Sequence, residues 1–339
     1  MKNTNLILGK IGTGKTTGIM FNEVDKIIER KENLFIVDNK EEYYKTYAEK
    51  LINNGYNVKV INFKSPINSN GFNPLLMPYR LYKNGNKDIA IKLINNFSKN
   101  IMHKQDIMDP FWTDSASSYL TGLILTLFKE GSVDEINLAS VHIMISKVEE
   151  SIDKFRAYVN NLDLVSPEYT FLSSTVNSPN DTRGGIISVL KMELTKYLST
   201  DNLLNLLCTN DIDLSNIDGK TVIFVIGNND YKKLTSVVIS EVINSNNTFN
   251  YILDNFDSLE KIMEFDDLLD NALVDNNKVY VISRNIENLN QKYGNLIVDK
   301  FEVIENIEMG ENLEEVGKYN VYPTIDKQVK KYFDLSSIL

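Results

Sequence analysis

Apolar positions along the chain change their period twice. Residues 5–8 (NLIL) form a short apolar run, and after a glycine-rich turn Ile19, Met20, Val24, Ile27 and Ile28 recur at helical spacing over 16–30. A second apolar run at 33–37 precedes a helical pattern at 41–53, and 56–63 (YNVKVINF) alternates as a strand. Strand and helix in alternation predict right-handed crossovers and a mainly parallel central sheet. From about Pro74 to Ser199 the spacing is helical, as at 89–97, 116–128, 138–145, 152–159 and 186–198, with no strong strand between. Strands return at 221–226, 250–253 and 278–282. Residues 300–307 suggest one more strand, and 326–333 a short helix. The pattern therefore predicts an α/β core in two parts, 1–74 and 201–339, with an all-α domain, 75–200, inserted between them.

The first turn has the spacing G-x-x-x-x-G-K-[ST], from Gly9 to Thr16, between a predicted strand and a predicted helix. This is a P-loop, and it makes the core a P-loop NTPase. Gly9, Gly12, Thr13, Gly14, Lys15, Thr16 and Thr17 are the predicted nucleotide-binding residues. The glycines let backbone N–H groups turn inward, and the helix N-terminus adds partial positive charge there. Lys15 is expected to reach the β- and γ-phosphates, and Thr16 to ligate Mg²⁺. A guanine-specifying N-K-x-D is not evident, since Asn39-Lys40 lacks the following Asp, so ATP is favoured over GTP. Such enzymes place an Asp at the end of another strand near the metal. Asp38 and Asp254 both fit, and Asp254 is the better candidate because its strand comes late in the chain. The next residue, where many such ATPases carry a Glu that polarises water, is Asn255, an amide that cannot act as a general base. Asp257 and Glu264 are substitutes that the sequence alone does not place.

Composition narrows the class. The chain has 339 residues, 42% hydrophobic and 24% charged, an ordinary globular balance. A net charge of −10 argues against a surface that coats duplex DNA without specificity. No apolar stretch approaches the roughly 18 residues of a membrane span, so a cytoplasmic protein with no membrane span of its own is expected. The lone Cys208 forms no internal disulfide, and His103 and His142 have no ligand cluster around them. Arginine is scarce, which directs attention to Arg183 and Arg284, the two near motor-like segments. In ring motors an arginine can stabilise charge on the γ-phosphate, in its own subunit or in a neighbour. The plainer reading of each is a surface ion pair.

Several segments, in order, resemble the TraG/TraD-type coupling ATPases of conjugation and type IV secretion, relatives of the FtsK and HerA DNA pumps. They are the Gly9–Thr16 loop; Asp38, Lys40 and Glu42 of a D-P-K-G-E segment, with Asn39 for its Pro and Glu41 for its Gly; the Asn73-Pro74 turn; Asp109-Pro110-Phe111-Trp112; Thr182-Arg183-Gly184-Gly185; and Tyr251-Ile252-Leu253-Asp254. The resemblance implies a RecA/FtsK-like core, ATP and Mg²⁺ as cofactors, Thr16 and Asp254 as metal ligands, and Lys15, Asp254, Arg284 and Arg183 as catalytic residues. It also implies a homo-oligomer, with a hexamer-like ring as one form, and DNA or a DNA–protein complex as substrate. Separately encoded membrane secretion components would then be partners at the inner face of the membrane. The chain departs from the family at Asn255, at Arg284 where a Gln is usual, and in lacking the usual membrane helices. Two readings follow: a soluble motor or substrate recruiter, or a hydrolysis-deficient, nucleotide-gated adaptor. A small-molecule or nucleic-acid kinase is a weaker third, because few cations are available around a migrating phosphoryl group.

Overall fold

Seven strands pair in parallel in the computed structural model, which describes residues 3–10, 12–103, 109–217, 219–304, 315–325 and 330–339. They are β1 (Thr4–Leu8), β2 (Leu34–Val37), β3 (Asn57–Asn62), β4 (Thr221–Ile226), β5 (Asn250–Leu253), β6 (Lys278–Ser283) and β7 (Glu302–Ile304). Their order across the sheet is β3-β4-β2-β5-β6-β1-β7. Both faces of the central strands are covered, which is why every residue of β2, β4 and β5 is buried and all but the first residues of β4 and β5, Thr221 and Asn250, are apolar. The sheet confirms the α/β, mainly parallel class.

The chain separates into two compact units, one of Met1–Asn70 with Asn216–Ile325, the other of Gly71–Ser215 with Asp326–Leu339. The first unit holds the sheet. On one face Phe21, Val24 and Ile27 pack with Tyr43, Tyr47, Phe224 and Ile252 in a continuous core. Phe21 meets Tyr43 and Tyr47 edge-on, with centroids 5.7 and 5.2 Å apart. A strap at 315–325 crosses the helix Glu42–Asn53: the Gly317 amide donates to Thr46 Oγ1 at 2.9 Å, and Tyr322 stacks on Tyr44 at 4.6 Å.

The second unit is helical. Its helix Phe111–Glu130 is buried along most of its length, from Ala116 to Phe128, and so lacks a strong polar face. Gly122 admits the neighbouring helix Pro167–Val176, since a Cβ there would lie 2.5 Å from Leu172 Cγ. Asn73 explains the Asn-Pro turn: its Nδ2 donates to Ile136 O at 2.6 Å, and its Oδ1 accepts from the Leu75 amide at 3.0 Å. Trp112 lies across Gly185, where a Cβ would come within 2.5 Å of the indole. Two of the three segments of this unit that carry the family likeness therefore touch each other.

Some expectations shift. Residues 16–30 are not one α-helix: Lys15–Met20 is a π-helix, continued by the α-helix Phe21–Arg30. The late strand covers Glu302–Ile304: Lys300 ends a short 3₁₀ helix, Phe301 follows it, and 305–307 lie outside the described residues. Of the expected helix at 326–333, residues 326–329 lie outside the described residues, and 330–333 form no helix.

Candidate nucleotide-binding site

The loop between β1 and the π-helix owes its shape to two glycines. Gly12 and Gly14 have φ of 82° and 80°, where a Cβ is strained even in open space. Gly9 is needed for closeness instead, because a Cβ there would lie 2.8 Å from Thr13 Oγ1. Thr13 Oγ1 donates to Lys10 O at 2.9 Å, and Lys15 Nζ donates to Gly9 O and, at 2.7 Å, to Lys10 O. The ammonium is thus folded across the mouth of its own loop. Burial lowers the Lys15 pKa, and the charge of Asp254 works against that.

The loop opens into a cleft at the carboxyl ends of β1, β6 and β5, the usual place for a ligand in a parallel sheet. Gly12, Thr13, Gly14, Lys15, Thr16, Thr17, Asp254 and Arg284 all line it. Gly9 lies beneath the loop, against Thr13 and Lys15. Asp254 ends β5 and accepts the Asn255 amide on Oδ1 at 2.7 Å. Burial raises its pKa to about 6; that amide opposes the shift, the Glu42 carboxylate adds to it, and Lys40 and Lys15 offset it. The Thr16 hydroxyl and the Asp254 carboxylate are a donor set that suits Mg²⁺. That ion takes one or two protein oxygens and completes its shell with phosphate and water, so it needs no dense carboxylate cage. No such cage occurs among the described residues.

Asp38 ends β2, the strand beside β5, with Val37 paired to Leu253. It is fully buried and accepts the Tyr44 amide on Oδ2 at 2.8 Å, while Oδ1 has no partner. Burial lifts its pKa to about 7, opposed by the Tyr44 amide and helped by the charge of Asp254. Asp38 does not line the cleft; it anchors the turn that brings Lys40 and Glu42 to it.

Asn255 takes the left-handed conformation, φ 54°, which asparagine tolerates. Its Nδ2 donates to Ser258 Oγ at 3.0 Å, and its Oδ1 accepts from Arg284 at 3.3 Å. Asp257 reaches the cleft but is held by Ser283 Oγ at 2.5 Å, the Arg284 amide at 2.8 Å and Asn288 at 3.4 Å. Glu264 is buried and accepts from Ser240 Oγ; it does not line the cleft. Arg183 belongs to the helical unit, where it is 7% exposed. Its guanidinium donates to Ser178 O at 2.9 Å and to Asn180 Oδ1 at 2.5 Å, which closes the entry to the helix Asn180–Leu198. Lys40, Glu42 and Ser283 join the cleft beyond the residues singled out as its ligands; the D-x-K-x-E spacing of 38–42 was the available signal for the first two.

A family model described as "Type IV secretory system Conjugative DNA transfer" matches residues 4–301. No curated protein matches the chain. Among solved structures, the bacterial conjugative coupling protein TrwBdeltaN70, in complex with sulphate, is similar with a TM-score of 0.58 at 13% identity, covering 88% of this chain and 66% of that one. The plasmid coupling protein TrwB in complex with ADP and Mg²⁺ gives 0.57 at 13% identity, covering 86% and 66%. TrwB with the ATP analogue ADPNP gives 0.56 at 13% identity, with the same coverage. The chain thus spans just under two thirds of the length of these structures, and at such identity they support the RecA-like P-loop fold. No helix among the described residues is long and apolar enough to cross a membrane.

Proposed function

From the premise that the chain belongs to the type IV secretory system conjugative DNA transfer family, we propose that it binds ATP with Mg²⁺ at the loop of Lys15 and Thr16 and hydrolyses it. The energy would be coupled to the movement or recruitment of DNA or a DNA–protein complex. The observation that supports this most is the convergence of Lys15, Thr16, Asp254 and Arg284 on one cleft. There Lys15 binds the β- and γ-phosphates, Thr16 and Asp254 hold Mg²⁺, and Arg284 faces the charge that develops on the transferred phosphoryl group. Held by the Thr16 hydroxyl and the Asp254 carboxylate, Mg²⁺ would supply positive charge beside the phosphates. Arg183 acts within the helical unit as the clasp of a helix entry. The working form is a homo-oligomer, ring-like in one arrangement, in the cytoplasm, met at the inner face of the membrane by separately encoded secretion components.

The test is phosphate release by purified protein with Mg·ATP, with and without DNA, beside Lys15→Ala. Turnover in the wild type that Lys15→Ala abolishes supports the proposal. Equal background in both refutes hydrolysis. The amide at Asn255 favours one other reading, a nucleotide-gated adaptor that binds ATP and changes assembly without turnover. ATP would then raise thermal stability, as any ligand selective for the folded state does, with no phosphate released.

A further inference from the structure

Hydrolysis needs a group that takes a proton from the attacking water, and Asn255 offers only an amide, already engaged by Arg284. Three carboxylates line the cleft: Asp254, Asp257 and Glu42. Asp254 is the metal ligand of the reading above and is tied to the Asn255 amide. Asp257 accepts from Ser283, the Arg284 amide and Asn288, and so braces the turn after β5 against the end of β6. Glu42 differs from both. Among the described residues its carboxylate has no ion-pair or hydrogen-bond partner. It is the first residue of the helix Glu42–Asn53, immediately beyond β2, so it enters the cleft from the strand beside that of Asp254.

The position is rigid. Tyr43 and Tyr44, the next two residues, are 0% and 2% exposed, and the Tyr44 amide is fixed on Asp38. Glu42 is therefore held in place by buried neighbours while its own carboxylate stays free. A general base needs that combination of fixed placement and an uncommitted oxygen.

We propose that Glu42 is the general base of nucleotide hydrolysis, standing in for the glutamate absent at position 255. The proposal rests on the preceding reading that the chain hydrolyses ATP. Water oxygen attacks the γ-phosphorus as one of its protons passes to the Glu42 carboxylate. The bond from the γ-phosphorus to the bridging oxygen breaks, and its electron pair leaves with the nucleoside diphosphate. The proton held on Glu42 then returns to solvent.

The experiment compares wild type, Glu42→Gln and Glu42→Asp in steady-state phosphate release, with the ATP-induced rise in melting temperature measured for each. The glutamine variant keeps size and hydrogen bonding but cannot accept the proton. Expected are a fall in kcat of about 10²- to 10⁴-fold for Glu42→Gln, an intermediate loss for Glu42→Asp, and an unchanged KM and ATP-induced thermal shift. Adding Asn255→Glu to Glu42→Gln is expected to restore turnover, which a merely structural role at 42 does not predict. Turnover of Glu42→Gln within about threefold of an active wild type overturns the assignment and leaves hydrolysis standing. A wild type that shows the thermal shift but releases no phosphate overturns the hydrolytic reading, and Glu42 with it.

Discussion

Replacing Glu41 exposes how this chain departs from the glycine of the family segment. Glu41 precedes the helix Glu42–Asn53 with φ 64° and ψ 18°, the left-handed region. For a residue with a Cβ that conformation costs roughly 1–2 kcal/mol. The cost is offset by the side chain: Lys64 Nζ and the Tyr322 hydroxyl each donate to the carboxylate at 2.6 Å, and Lys45 Nζ lies 3.4 Å away. Lys64 is 54% exposed, so that pair is discounted to about 1 kcal/mol or less, and the Tyr322 bond adds about 1 kcal/mol. Glu41→Ala removes these contacts and keeps the strain, a loss of about 2 kcal/mol; Glu41→Gly removes both and comes out near neutral. The alanine variant should therefore be less stable than the glycine variant by the strain itself, about 1–2 kcal/mol, or roughly 2–8 °C in melting temperature for a unit of this size. Urea and thermal unfolding followed by circular dichroism measure the difference. An alanine variant as stable as the glycine variant refutes the strain argument. The pH dependence gives a second arm. Burial works against the charged form of Glu41, but the bonds from Lys64 and Tyr322 prevail and hold its pKa below the usual 4.5. A depressed folded pKa means the stabilisation is present above the unfolded value and is lost as pH falls through the folded one. The advantage of wild type over Glu41→Gln should accordingly shrink in acid.

Three further outcomes are expected. Lys15→Ala should abolish ATP-induced stabilisation, which in wild type at a hundredfold excess over Kd amounts to about 2.7 kcal/mol; calorimetry that finds unaltered ATP binding contradicts this. Gly185→Ala should destabilise the helical unit by about 1–3 kcal/mol, because the added methyl displaces the Trp112 ring; as Trp112 is the only tryptophan, its fluorescence reports the change directly. Asp38 has a raised pKa of about 7, so the folded state binds a proton more readily than the unfolded chain, and wild type should gain stability as pH falls from 8 to about 5. Asp38→Asn should flatten that gain in melting curves taken across the range.

Much of this was legible in the sequence because parallel strands covered on both faces leave plain apolar runs, as at 34–37, 222–226 and 251–253. The phosphate loop was legible because glycines at positive φ have few substitutes. The helical unit was visible as a block, but not its arrangement: the helix Phe111–Glu130 is apolar nearly all round and carries no face to orient it. The role of Glu42 was hidden for a different reason. Its carboxylate meets the cleft only because β2 pairs with β5, residues more than two hundred positions apart, and no local pattern encodes that pairing. Asp257 and Glu264 looked interchangeable as acids until hydrogen bonds separated a brace from a buried acceptor.

The strand that feeds the phosphate loop is made first, yet both of its neighbours, β6 and β7, are made last: Thr4 pairs with Val279, and Asn5 with Glu302. On the ribosome, then, the loop emerges with nothing to hold its strand until nearly three hundred residues have followed. The contiguous stretch 71–215 has its main contacts within itself and can condense in the interval. Closing the long span between β1 and β6 is slow, since loop-closure entropy comes before any contact is gained. A nascent chain cannot capture nucleotide early, and truncation anywhere before β6 leaves a phosphate loop without a sheet to stand on.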